Sequence, residues 1–188
     1  MSAVPLEKIQ KVAVIGAGQA GRRFALRCSQ AGVDVVLEDV MPANLRRAEA
    51  EFADLTGKMG RGSMNFALTV EDAVRDADIV IDFVPDELES KLEIFCLLDR
   101  MAPPKTILCT PSEALSITDL ASCTYRGGQC VAVRGDLGAG GSIRMLHPDY
   151  ASTIVLDRTR EFFAALKFEV VAERDPDVPM LMKNLKVT

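Results

Sequence analysis

The sequence predicts one α/β domain, a Rossmann-type doubly wound sheet that is mostly parallel. Three observations carry that expectation. Short β-branched runs alternate with helical stretches along nearly the whole chain. The first run stops at Gly16, Gly18 and Gly21, a G-x-G-x-x-G turn opening directly into a helical pattern. The second run ends in an acid, Asp39, 21 residues after Gly18.

Lys11–Ile15 is apolar without alternation, as a strand buried on both faces should be. Ala20–Ala31 has helical spacing, with Phe24, Cys28 and Ala31 on one face, Arg22, Arg23 and Arg27 mostly outside, and Gly32 as a left-handed stop. Val33–Glu38 reads as the second strand, and Pro42–Thr56 as a helix begun by proline. Phe66–Thr69 is a short strand; Thr69 with Asp72 then caps a helix at 70–75. Ile79–Phe83 is a fourth strand before a helix over Glu87–Met101. Pro103 and Pro104 break the chain ahead of a strand at Thr106–Cys109. Further on come a short helix at Ser116–Ala121 and strands at Cys130–Arg134 and Ile143–Leu146. A long helix at Tyr150–Leu166 and a last strand at Phe168–Ala172 complete the pattern. The expected organisation is a dinucleotide-binding domain over 1–173 and a tail over 174–188.

Composition narrows the partners. With 22 basic and 27 acidic residues the formal charge is −5, which gives nucleic acid and anionic membrane no electrostatic hold. Aromatic residues are 5% and tryptophan is absent, so base-stacking platforms are not expected. The polar N-terminus shows no signal-like apolar stretch, and no run is long enough to span a membrane. Five cysteines without a C-x-x-C pair fit reduced thiols in the cytoplasm. One histidine, His147, is too few for a His/Cys zinc site.

The glycine turn is a phosphate cradle by its framing of strand, loop and helix. Gly16 permits the turn, Gly18 lets backbone approach a pyrophosphate, and Gly21 lets helix and strand close. Amides at Gln19, Ala20 and Gly21 face the phosphates from the positive end of the helix. Asp39 is placed to take ribose hydroxyls and would repel a 2′-phosphate, so NAD is the expected cofactor rather than NADP. Glu38 is the rival for that role.

KVAVIGAGQAG, AGVDVVLEDV, ADIVIDFVPDELESKLEIFCLLDRMAPPKTILCT and SEALSITDLAS together resemble the NAD-binding domain of the 3-hydroxyacyl-CoA dehydrogenases, as far as about Ala172. The resemblance implies NAD-linked oxidation or reduction of a hydroxy or keto substrate, either a small molecule or carrier-bound. It places Asp86 and Lys91 where the family's glutamate and lysine approach the nicotinamide ribose. Read without the resemblance, Asp86 is an acid at a helix start and Lys91 a solvated helix residue.

The same resemblance marks departures. Glu113 occupies the slot of the family's serine, with Ser112 one place early. Arg134 stands where the family carries its catalytic histidine, followed by GDLGAGGS instead of the histidine's supporting residues. The glutamate that orients that histidine falls near Ile143 and is missing, while Asn184 matches a late family asparagine. An arginine stays charged at neutral pH; it can polarise a carbonyl or hold a carboxylate but cannot act as the base. The expected catalytic candidates are therefore Glu113, Arg134, Ser112, Asn184 and His147, the last 13 residues beyond the family's histidine slot. By the same resemblance the link from Pro42 to Thr69 is expected to be too short for the family's helical hairpin, with GKMGRGS read as a stub of it, and the family's helical C-terminal domain is expected to be missing. An apolar strip around MLMKNLKV then predicts self-association, a homo-oligomer. A non-catalytic NAD-binding module is the competing expectation.

Overall fold

The computed structural model describes residues 7–56 and 62–176. Asn184, the MLMKNLKV strip and most of GKMGRGS lie outside the described residues. Eight strands form one sheet: β1 (Lys11–Ile15), β2 (Asp34–Glu38), β3 (Met64–Ala67), β4 (Ile79–Asp82), β5 (Ile107–Pro111), β6 (Cys130–Arg134), β7 (Gly141–His147) and β8 (Phe168–Arg174). Among the described residues six α-helices lie between them: α1 (Gln19–Gln30), α2 (Pro42–Thr56), α3 (Val70–Val74), α4 (Leu88–Met101), α5 (Ile117–Ala121) and α6 (Thr153–Ala165). The strand order is β3-β2-β1-β4-β5-β6-β7-β8, parallel from β3 to β6, so the doubly wound expectation holds. The order reverses beside β1 and β4, where open α/β sheets bind ligands beyond their carboxyl ends.

Both faces of the sheet are covered. On one face Phe24 of α1 meets Phe163 and Phe162 of α6 at 6.2 and 6.5 Å between ring centres, and Phe168 of β8 joins them. On the other, Ile94, Phe95 and Leu98 of α4 and Ile117 and Leu120 of α5 pack on Ala13, Val80, Leu108 and Ala132. Burying each such large side chain contributes about 2 kcal/mol. The central strands β1, β4, β5 and β6 are buried on both sides, which explains their lack of alternation, whereas β3 at the edge is not.

The local caps are as the residues dictate. Thr69 Oγ1 accepts the Asp72 amide at 3.2 Å and donates to its carboxylate at 2.8 Å, so β3 ends earlier, at Ala67. Gly32 sits at φ +90 after α1. α6 begins at Thr153 rather than Tyr150, because Pro148–Ala151 closes a turn and the Ser152 amide is held by Gly128 O at 2.9 Å.

β7 is the main topological addition. It runs antiparallel to β6, with Ala132 opposite Leu146, Val133 opposite Met145 and Arg134 opposite Arg144. The chain doubles back through the glycines after Arg134; Gly135, Gly140 and Gly141 all take positive φ. Arg27 locks this loop to α1, donating to Gly138 O at 3.0 Å and Leu166 O at 3.3 Å while lying 5.0 Å over the Phe168 ring. Arg27 is thus a half-buried latch, not the outward residue the helical pattern predicts. β8 extends to Arg174, and beyond it Asp175 Oδ2 accepts Ser116 Oγ and the Thr118 amide, each at 2.8 Å, stapling the chain to the start of α5.

Candidate functional site

The turn after β1 is tight because three close approaches require it. The Gly16 amide donates to Glu38 O at 2.9 Å, and the Phe83 amide to Ile15 O at 2.7 Å, fastening the loop between β2 and β4. A Cβ at Gly21 would sit 1.9 Å from Gly16 O, so only glycine lets α1 close on the loop. A Cβ at Gly18 would meet nothing within 4 Å. Packing therefore demands Gly21, whereas the space over Gly18 is open.

Gly18 is the N-cap of α1 and makes no side-chain cap, and the first amide bond within the helix runs from Arg22 to Gly18 O at 3.0 Å. The amides of Gln19, Ala20 and Gly21 precede that bond and point their positive ends to the same open space. Asp39 is buried at the end of β2; Oδ2 accepts the Ala17 amide at 2.8 Å and Asn44 Nδ2 at 3.0 Å, and Oδ1 accepts the Met41 amide at 2.7 Å. These bonds set the carboxylate at the loop and leave lone pairs on Oδ1. Open backbone at Gly18, free helix amides and a preset carboxylate fit a dinucleotide's pyrophosphate and ribose. Glu38, the rival acid, is 3% exposed, and burial, then the charge of Asp39, pushes its carboxyl up to about 7.

Across the switch point, loops after three successive strands are laced together. Asp86, after β4, accepts the Glu113 amide on Oδ2 at 3.0 Å. Glu113, after β5, accepts the Gly135 amide on Oε1 at 2.9 Å. Ser112 is buried; its amide donates to Val133 O at 3.1 Å, and its Oγ accepts the Leu115 amide at 3.0 Å. Arg134 ends β6 beside them. Asp86, Ser112, Glu113 and Arg134 therefore share the carboxyl edge of the sheet with the glycine turn.

Two sequence-derived site residues lie elsewhere. Lys91 is neither solvated nor in the cleft: it is 1% exposed, and Nζ donates to Asp82 Oδ1 at 2.7 Å inside the layer between sheet and α4. Burial pushes the Asp82 carboxyl up, opposed by the Lys91 ammonium. His147 is carried away from the edge by the reversal of β7. Arg144 is opposite Arg134, and His147 lies three residues further along, about 10 Å at strand spacing. Its Nδ1 lies 2.8 Å from Pro148 O, a turn contact. Residues that the sequence reading missed are Asp82, Asn44, Arg144 and Glu173. Only the antiparallel register of β7 would have put Arg144 at the site.

The fold and this loop define a dinucleotide-binding domain of the Rossmann type. The sequence profile described as 3-hydroxyacyl-CoA dehydrogenase, NAD binding domain, matches residues 11–134, and the chain belongs to that family. NAD is accordingly its cofactor. A probable 3-hydroxybutyryl-CoA dehydrogenase of Bacillus subtilis is 34% identical over 132 residues, 63% of this chain and 46% of that protein. A 3-hydroxybutyryl-CoA dehydrogenase of Bradyrhizobium diazoefficiens is 27% identical over 184 residues, 89% of this chain and 62% of that protein. The structure of a diketoreductase superposes with a TM-score of 0.80 at 24% identity, covering 95% of this chain and 69% of that one, a likeness of fold. This chain thus spans roughly half to two thirds of the length of those relatives. Among the described residues, no helix is long and apolar enough to cross a membrane.

Proposed function

We propose that this chain is the NAD-dependent part of an oxidoreductase acting at a hydroxy or keto carbon of an acyl or carboxylate substrate. The observation that carries the reading is the joining of Glu113 to Asp86 and Gly135 at the same sheet edge as the phosphate loop. Gly16, Gly18, Gln19, Ala20 and Gly21 hold the pyrophosphate, Asp39 takes the adenosine ribose, and Asp86 faces the nicotinamide ribose. Bound there, NAD supplies the hydride chemistry. Arg134 holds or polarises the substrate oxygen, and Glu113, with Ser112 beside it, moves the proton. The domain comprises 1–173, with Arg174 and Asp175 held to it by β8 and α5; the rest of the 174–188 tail serves self-association in the cytoplasm, a setting supported by five unpaired cysteines.

A second reading, a non-catalytic NAD-binding module, draws on one feature: Glu113 already spends one carboxylate oxygen on a backbone amide. NADH fluorescence titration, followed by absorbance assays with a panel of 3-keto acids and thioesters, separates the two. Turnover that falls at least tenfold in Glu113→Ala, with NADH affinity unchanged, is the expected result. Binding without turnover, indifferent to that substitution, rejects the oxidoreductase reading in favour of the module.

A further inference from the structure

We propose that Arg134 and Arg144 together form a seat for a substrate carboxylate, with Glu173 as the positioning residue for the second arginine. The inference rests on the oxidoreductase reading above and narrows it to substrates that carry a free carboxylate close to the reacting carbon.

Arg134 and Arg144 face each other directly across the antiparallel β6–β7 pair. Side chains so placed project from the same face with Cβ atoms about 5 Å apart, and like charges there weaken the pairing. The sheet gains nothing from this juxtaposition. Arg144 is neutralised within the fold: its Nε donates to Glu173 Oε1 at 2.9 Å, and Nη2 bonds the other oxygen. That bidentate pair fixes the plane of the Arg144 guanidinium. It also commits Glu173, whose carboxyl is held below its ordinary range by Arg144 first and by the charge of Arg134 as well.

Arg134 has no such partner. Among the described residues its side chain makes no hydrogen bond or ion pair, and Nε is shut off from water without an acceptor. An unmet buried donor costs about 1–3 kcal/mol, and such groups are exceptions that call for a cause. The neighbouring acids are engaged elsewhere, Glu113 on the Gly135 amide and Asp86 on the Glu113 amide. The loop that follows cannot cover the guanidinium with side chains: Leu137 is buried, Asp136 caps the Gly138 and Ala139 amides, and the rest is glycine and alanine. What remains is a planar cation with no hydrogen-bonded anion, its charge reaching only as far as Glu173, beside a second one paired with that same carboxylate, at the edge where substrate would meet nicotinamide. A carboxylate matches both; a neutral thioester or ester carbonyl offers no charge to either.

Calorimetric titration with malonate and with dimethyl malonate, neither of which can be reduced, tests the proposal with and without NADH. Malonate is expected to bind at least about tenfold more tightly than its ester. Arg134→Met and Arg144→Met should each erase that preference while NADH affinity is unchanged. Arg134→Lys, which keeps the charge but loses the fork, should weaken malonate several-fold, and it serves as the deciding variant should a methionine form fail to fold. Glu173→Gln should reduce the preference by loosening Arg144. Equal binding of acid and ester, no binding of malonate, or a preference surviving these substitutions overturns the proposal. Failure of NADH to bind while the malonate preference stands rejects the oxidoreductase reading and leaves the seat intact.

Discussion

Lys91 meets Asp82 at 2.7 Å in the interior, with 1% and 0% of the two side chains exposed. Such a pair is costly to break, because removing one partner leaves the other charge buried alone. Lys91→Met is expected to destabilise the protein by about 3–5 kcal/mol, and adding Asp82→Leu should recover most of that loss. Urea unfolding of the two single variants and the double variant measures the coupling. Additive losses would show that the two charges do not support one another.

The phosphate loop offers a cleaner contrast. Gly21→Ala forces a methyl to 1.9 Å from Gly16 O and should cost several kcal/mol, lowering the melting temperature by more than about 8 °C. Gly18→Ala meets nothing in the protein, so its melting temperature should stay within about 2 °C of the parent. Its NADH affinity should nonetheless fall about tenfold or more, because the methyl occupies the path of the pyrophosphate. A Gly18→Ala variant that binds NADH normally would remove the loop from the cofactor site.

Glu38 makes stability depend on pH. Its carboxyl is raised from 4.5 to about 7 by burial and the adjacent Asp39. The folded chain therefore binds this proton more tightly than the unfolded chain. The contribution is full below the unfolded value and is lost as pH climbs through the folded one. Glu38→Gln should be about 2 kcal/mol more stable than the parent at pH about 8, relative to their difference at pH about 4. Denaturant titrations at both pH values decide it; a difference that does not move with pH contradicts the assignment.

Asp175 ties the end of β8 to α5. Asp175→Ala strands Ser116 Oγ and the Thr118 amide, both buried, and should cost about 1–3 kcal/mol by thermal or urea unfolding. A loss under a few tenths would mean that the staple is replaced by water.

Much of this was readable from the residues alone where the cause is local. An apolar run stopping at glycine marked the ends of β1 and β6, and Thr69 announced the cap it makes, whereas β3, β5, β7 and β8 begin or end away from their expected bounds. The phosphate loop was legible because its spacing is local: Gly21 answers to Gly16 five positions away, while Gly18 faces open space. Lys91 was not. Its spacing along α4 suits a solvated position as well as a buried one, and only the packing of α4 over β4 brings it to Asp82. The direction of β7 was hidden too, because a short apolar run reads alike either way. With it went Arg144 and Glu173, whose meeting depends on register across two strand pairs.

That direction has a chemical consequence. A reversed strand delivers its opening residues to the cofactor edge and takes its closing residues away, so Arg144 arrives where His147 departs. The chain contains one imidazole, and the glycine bend before β7 carries it away from the carboxyl edge where Arg134 ends β6. On the oxidoreductase reading proposed above, the proton is moved by Glu113 with Ser112 rather than by His147. Backbone torsion in the loop after β6 thus decides which side chains of β7 reach the carboxyl edge of the sheet.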